Sequence, residues 1–270
     1  MVRIGILKER ADRRVTVLAP AGVERLKDKA EILVQRDAGR SAGFTNDAYE
    51  AAGGKLMGSA EEVMSGADIL LSYDHHYDGE ELNGDKTFIG VFNFLWMPEQ
   101  VGRYLHPGVT VHSLDLIPRS TLAQAMDVLS SVGSISGYQA VLLAAERSLA
   151  TVPMITSAGG TLRPAQFLVM GAGVAGLQAI ATARRLGAVV KAYDVRAASK
   201  EEVESLGATF IEVEGAVDDS NGGGYASQQS EAFLQKYGTA STRKHPRRTL
   251  SLPRHGSPGE RHPCRSPRRW

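Results

Sequence analysis

Residues 166–194 read Gln-Phe-Leu-Val-Met-Gly-Ala-Gly-Val-Ala-Gly-Leu-Gln-Ala-Ile-Ala-Thr-Ala-Arg-Arg-Leu-Gly-Ala-Val-Val-Lys-Ala-Tyr-Asp. The apolar run 166–170 predicts a strand, 174–186 a helix and 188–193 a second strand, with Asp194 at its end. Between strand and helix stands Gly171-Ala-Gly173-Val-Ala-Gly176. A lone G-x-G-x-x-G is a weak signal. Strand before, helix after and an acidic residue 18 positions past Gly176 make it a strong one. The three glycines differ in what they allow. Gly171 permits the tight turn, Gly173 lets a pyrophosphate approach the backbone, and Gly176 lets helix and strand pack closely. The helix N-terminus adds N–H donors and partial positive charge for a phosphate. Asp194 is expected to accept hydrogen bonds from an adenosine ribose and to repel a 2′-phosphate, favouring NAD over NADP. Arg196 works against that expectation, since arginine can accept the phosphate.

Working outward, the same alternation continues. Residues 199–206 predict a helix, 209–213 a strand, 222–224 a glycine turn and 225–236 a helix. Towards the N-terminus, strands are expected at 2–7, 32–34, 68–73, 87–92 and 109–114. Helices are expected at 20–29, 46–52, 60–64 and 98–105. Apolar residues at 122, 125, 126, 129, 132, 135, 138, 141, 142 and 145 keep helical spacing, so 121–149 reads as one long helix. Gly133 and Gly137 weaken it by roughly 1 kcal/mol each relative to Ala, and small residues there suggest close packing. The expected fold class is α/β: two Rossmann-like parallel-sheet domains joined by a long helix, the second truncated. The domains read as 1–120, a linker helix 121–150, an NAD-binding first half 151–236, and a tail 237–270.

That tail changes character. It holds five Pro, three His, nine Lys/Arg and one acidic residue, Glu260, with no apolar period. Such a segment cannot bury enough surface to offset its ordering entropy, so a disordered basic tail is expected. Two other readings stay open: a tail for nucleic acid or anionic lipid, or the product of a GC-rich gene read out of frame. The remaining 1–236 carries a net charge of −7 beneath the formal total of +1, which argues against nucleic acid as the main partner.

Composition excludes other classes. A chain of 270 residues, 43% hydrophobic, can build its own cores, and its single Cys rules out a disulfide framework or cysteine-rich zinc module. Charges at Lys8, Glu9, Arg10, Asp12, Arg13 and Arg14 exclude an opening signal peptide. The uncharged run 164–183 is long enough for a membrane, but its glycine pattern makes it strand, turn and helix. The chain is expected to be cytoplasmic. His75-His76 with Asp74 and Asp78 lacks a third ligand at zinc-like spacing and reads as surface loop. Cys264 has no base placed near it. Phe92, Phe94 and Trp96 read as core.

A second candidate is Pro118-Arg119-Ser-Thr-Leu-Ala-Gln124-Ala-Met-Asp127-Val-Leu-Ser130-Ser131. On a continuous helix Gln124, Asp127 and Ser131 share a face, with Ser130 one step round and Arg119 just ahead of it. That set could hold a nicotinamide carboxamide. Spacing alone equally describes a solvated helix face.

These stretches, with Lys200-Glu-Glu-Val-Glu-Ser-Leu-Gly207, Gly137-Tyr138, Gly223-Gly-Tyr-Ala226 and Ile4-Gly-Ile-Leu-Lys-Glu-Arg10, resemble one family. It is the NAD(H)-binding component of proton-translocating nicotinamide nucleotide transhydrogenase, its alpha subunit or the first piece of an alpha subunit that is split in two. The likeness runs from residue 1 to about 236. The resemblance implies NAD(H) in the second domain, hydride passing to NADP on a partner component, and a membrane-spanning component coupling this to proton movement. It implies a homodimer lying on the cytoplasmic side of the membrane through its partners. By the same match Arg119, Asp127 and Ser130 hold the nicotinamide end and Gln124 orients the ring. Val174, Asp194, Val195 and Arg196 hold the adenosine half, and Gly224 and Tyr225 belong to a loop that closes over the cofactor. Direct hydride transfer needs no acid/base pair, only positioning and exclusion of water.

Two rivals remain. Alanine dehydrogenase looks similar in fold, but its substrate chemistry needs a Lys after the 68–71 strand and a His near 92–96. This sequence has Leu71-Ser-Tyr-Asp-His-His76 and Phe92-Asn-Phe-Leu-Trp96 there. The other rival is an inactive cofactor-binding remnant. Three strands are half of a doubly wound sheet, so an unpaired edge and poor stability are expected.

Overall fold

The computed structural model describes residues 1–10, 12–74, 85–94, 96–118, 120–212 and 249–252. Two compact units emerge, Met1–Leu129 and Ser130–Trp270. In the first, β1 (Val2–Ile6), β2 (Ala30–Gln35), β3 (Lys55–Met57), β4 (Ile69–Asp74), β5 (Lys86–Val91) and β6 (Val109–Ser113) form one sheet in the order β3-β2-β1-β4-β5-β6. Every pairing is parallel. The crossovers carry α1 (Pro20–Leu26), α2 (Asn46–Ala51) and α3 (Ala60–Gly66). The chain therefore winds outward from β1 in both directions, the doubly wound order.

Alternation along the strands buries both faces. Ile6, Ile32 and Val34 pack with Val23 and Tyr49 in one cluster. Leu7, Leu33 and Leu70 pack with Val63, Phe88 and Tyr104 in another. Such two-sided burial is why these strands read as continuous apolar runs. Two of these helices, α2 and α3, start on side-chain caps: the Thr45 hydroxyl accepts from the Ala48 N–H, and the Ser59 hydroxyl from the Glu62 N–H, while Glu62 accepts from the Gly58 N–H.

Two first-unit features differ from expectation. The strand β3 has no counterpart in the sequence pattern; it is three residues on a sheet edge, bracketed by Gly54 and Gly58, too short for a period to show. The expected helix at 98–105 is a 3-10 helix, Pro98–Tyr104.

The second unit holds β9 (Gln166–Met170), α5 (Val174–Arg185), β10 (Val189–Tyr193), α6 (Ser199–Ser205) and β11 (Thr209–Phe210), as the sequence pattern predicts. The run 164–183 is strand, turn and helix. A short antiparallel hairpin of β7 (Ile155–Ser157) and β8 (Gly160–Leu162) precedes them, unannounced by the sequence pattern. Phe167, Val169, Ile180, Val190 and Val203 form the core, and Val141 of α4 (Val128–Arg147) joins it. That helix is, by length and composition, apolar enough to cross a membrane. Its Gly137 faces α5, and a Cβ there would overlap the Ala175 carbonyl. Among the described residues Gly133 meets nothing, so the close packing expected of both glycines is seen at Gly137.

The helix expected over 121–149 begins later. Gln124–Met126 form a 3-10 turn and Asp127, at φ −75° and ψ 84°, breaks the helical path before Val128. Apolar spacing cannot report such a break, because a tight turn keeps nearly the same period.

Four residues of the expected disordered tail are ordered. Thr249–Leu252, β12, pairs in parallel with β9, giving the sheet order β11-β10-β9-β12. Thr-Leu-Ser-Leu is a short alternating run in otherwise charged text, and it satisfies the edge of β9 that three strands alone would leave open. The rest of 237–270, the turn at 222–224 and the helix expected at 225–236 lie outside the described residues.

Candidate functional site

The glycine loop sits where β9 ends. Gly171 has φ +99°, in the left-handed region, and its N–H donates to the Tyr193 carbonyl of β10 at 2.7 Å. A Cβ on Gly176 would overlap the Gly171 carbonyl oxygen, so loop and helix touch backbone to backbone. Gly173 differs. It is the N-cap of α5, in extended backbone at φ −77°, and a Cβ there would meet nothing within 4 Å. Among the described residues nothing demands a bare residue at 173. What its missing side chain leaves is open space beside the first-turn N–H groups of a 12-residue helix. Val174, next along, is exposed. These residues fit a dinucleotide: room at Gly173, donors at α5, and an acidic residue across the loop.

That acid is Asp194, whose side chain is 8% exposed. Its Oδ2 accepts from the Ala172 N–H at 2.6 Å, which ties the glycine loop to the end of β10. Its Oδ1 accepts from the Arg196 N–H at 2.9 Å and Nε at 3.1 Å, and Arg196 Nη2 reaches Oδ2 at 3.4 Å. The same Nη2 donates to the Ala172 carbonyl at 3.3 Å. Burial pushes the Asp194 carboxyl up. Hydrogen bonds from Arg196 and the Ala172 N–H, with the guanidinium charge, outweigh it and hold the carboxyl below its ordinary value. Arg196 is correspondingly raised, first by its hydrogen bond to Asp194. Val195 between them is buried. The sequence points to Asp194 as a free acceptor for a ribose, and the structure shows a carboxylate already holding four donors.

Gly171, Gly173, Val174, Gly176, Asp194, Val195 and Arg196 are thus brought to one place, the carboxyl ends of β9 and β10. The second candidate set is not described as a whole. Gln124 is exposed on its 3-10 turn, Asp127 follows that turn, and Ser130 lies in the first turn of α4. Because the helix starts at Val128, the shared helical face expected of Gln124, Asp127 and Ser131 does not exist. Arg119, Gly224 and Tyr225 lie outside the described residues, as do His75, His76, Asp78 and Cys264.

Other polar groups carry no sequence signal. Glu9, 3% exposed, accepts from the Tyr73 N–H at 2.6 Å and the Ser72 hydroxyl at 3.2 Å, between the ends of β1 and β4. Asp115 accepts from the Ser113 hydroxyl and from the Phe92 and Asn93 N–H groups, and its Oδ2 is buried without a partner. A charged residue two or three places past a strand looks like any loop residue. Phe92 and Phe94 stack at 5.2 Å and pack with Tyr104, as expected. Trp96 is exposed, not core.

Residues 5–136 match the family Alanine dehydrogenase/PNT, N-terminal domain, and residues 140–244 match Alanine dehydrogenase/PNT, C-terminal domain. The chain belongs to the alanine dehydrogenase/PNT family. Within this family it is similar to the NAD(P) transhydrogenase subunit alpha of Rhodospirillum rubrum, in the first of that subunit's separate pieces. The two are 39% identical over 251 residues, covering 88% of this chain and 65% of that protein. It is also similar to NAD(P) transhydrogenase subunit alpha of Haemophilus influenzae, at 38% over 238 residues, 86% of this chain and 46% of that one. Alanine dehydrogenase of Mycobacterium tuberculosis is 28% identical over 202 residues, 72% of this chain and 54% of that one. The transhydrogenase crystal structure from Sinorhizobium meliloti superimposes with a TM-score of 0.72 at 39% identity, covering 78% of this chain and 64% of that one. The chain thus spans just under two thirds of the Rhodospirillum rubrum protein and about half of the longer alpha subunits.

Proposed function

We propose that this chain is the NAD(H)-binding component of a proton-translocating transhydrogenase. It would hold NAD(H) at the Gly171–Gly176 loop and pass hydride to or from NADP held by a partner component. The observation that carries this is the open Gly173 position at the N-terminus of α5 beside Asp194, in a chain 39% identical to a transhydrogenase alpha subunit piece. The bound nicotinamide supplies the hydride; the protein positions and shields it. Val174, Asp194, Val195 and Arg196 would hold the adenosine half. Arg119, Asp127 and Ser130 would hold the nicotinamide end, Gln124 would orient the ring, and Gly224 with Tyr225 would close over it. The partners are an NADP-binding and a membrane-spanning component, which place the chain on the cytoplasmic side of the membrane. A homodimer is supported by exposed apolar residues on α4 (Ile135, Tyr138, Leu143) and on the β7–β8 hairpin (Ile155, Leu162).

The test mixes the purified chain with an NADP-binding component and follows NADH oxidation with an NADP analogue. Turnover is expected. NADH binding without turnover supports instead a cofactor-binding remnant. Oxidation of alanine with NAD would support the dehydrogenase reading, against which stand Leu71–His76 and Phe92–Trp96 without the needed Lys and His.

A further inference from the structure

The Asp194 carboxylate has about four acceptor positions, and protein donors take four: Ala172 N–H, Arg196 N–H, Arg196 Nε and Arg196 Nη2. A ribose hydroxyl that donates to Asp194 must therefore displace one of them. The longest contact is Nη2 at 3.4 Å, and giving it up moves a side chain and no backbone. The Arg196 side chain is 23% exposed against 8% for that of Asp194, so the arginine is the more open partner of the pair. Its second bond, to the Ala172 carbonyl at 3.3 Å, keeps it beside the glycine loop, where the adenosine ribose of a dinucleotide lies.

Resting on the NAD(H) reading of this site, we propose that Arg196 is a specificity-determining residue whose guanidinium Asp194 holds out of reach of a 2′-phosphate. Rejection of NADP(H) is then a property of the pair. With Asp194 charged, the phosphate meets a buried carboxylate, and the nearby cation is already neutralised in a two-pronged ion pair. With that charge removed, the planar fork of Arg196 becomes the natural acceptor for the phosphate. Arginine near an acid at this position is thus a reserve that a single substitution converts.

The experiment uses the full chain and titrates NADH and NADPH by the fluorescence of the reduced nicotinamide, with far-UV circular dichroism to confirm folding. The wild-type chain is expected to bind NADH at least 100-fold more tightly than NADPH. Asp194→Asn, which keeps an acceptor for the Ala172 N–H, should weaken NADH about 10-fold and strengthen NADPH at least 10-fold. Adding Arg196→Gln should abolish the NADPH gain. Arg196→Gln alone should leave NADPH excluded, because the Asp194 charge remains; NADPH binding gained by that variant also overturns the inference. An NADPH gain that survives in the double variant, or no gain in a folded Asp194→Asn, overturns the inference while leaving NADH binding intact. A wild-type chain that binds neither nucleotide overturns the site assignment along with it.

Discussion

The two sheets of this protein wind alike and end differently. In the first unit the chain leaves β1 through Leu7, Lys8 and Glu9, and the buried Glu9 carboxylate closes the gap to β4 through Ser72 and Tyr73. In the second it leaves β9 through glycines, and among the described residues nothing lies within 4 Å of a Cβ placed on Gly173, at the N-terminus of α5. One crevice is filled by the protein's own acid; the other presents helix N–H groups beside Gly173, which the proposed function gives to the phosphates of the cofactor. Parallel winding brings strand ends together in both, but the residue types there decide whether the place is a seam or a site.

The sharpest way to break the comparison is Gly176→Val in the second unit. The side chain would overlap the Gly171 carbonyl, so stability should fall by about 3 kcal/mol and NADH binding should vanish. Urea unfolding followed by circular dichroism reads the first effect, nucleotide fluorescence the second. An unchanged midpoint would show that loop and helix do not touch as described. On the other side of the comparison, Glu9→Ala leaves the Tyr73 N–H and Ser72 hydroxyl without their acceptor in a buried place, at a cost of roughly 1–3 kcal/mol. Glu9→Gln keeps an acceptor and should lose less. Equal losses in the two variants would mean that the charge, not the hydrogen bonds, closes the first crevice.

Gly173→Ala separates binding from folding. The position is open, so unfolding should shift by less than about 1 kcal/mol, while NADH affinity should drop at least tenfold. A drop in stability with affinity retained would reverse the roles given to Gly173 and Gly176. The smallest effect expected is a pH dependence. Asp194 is held below its ordinary value in the folded state, so its contribution is complete above that value and is lost as pH falls through the folded one. Asp68, paired with Arg3 at 2.7 Å and held at about 2, behaves the same way lower down, on the exposed rim of the first sheet. Stability measured from pH 7 to pH 2 should decline, and Asp194→Asn should flatten the upper part of that decline. A curve unchanged by Asp194→Asn would place the acid sensitivity elsewhere.

Much of this is legible in the chain itself. Longer apolar runs such as 87–92 and 166–170 are strands because parallel sheets bury both faces, and Gly171-Ala-Gly173-Val-Ala-Gly176 announces its turn because few other residues could make it. The edge strand β3 and the hairpin β7–β8 are not legible, being built from strands of three residues each, shorter than any period. The break at Asp127 escapes because a 3-10 turn and an α-helix share nearly the same apolar spacing. Thr249–Leu252 escapes because its order comes from β9, a partner far away in sequence, and not from its charged surroundings.

By itself, then, the sequence determined the α/β class, the order of the main strands and helices, and the glycine loop with its acid, since local backbone freedom and burial periodicity are written residue by residue. The tertiary structure agrees with the motif that Gly176 is bare for close packing, and it shows that among the described residues nothing meets a Cβ at Gly173. It alone placed Arg196 on Asp194, and Glu9 against Ser72 and Tyr73. Those pairings depend on which strand ends the winding brings side by side. A charge two residues along the chain, or sixty, looks the same in sequence until the fold says which of them it faces.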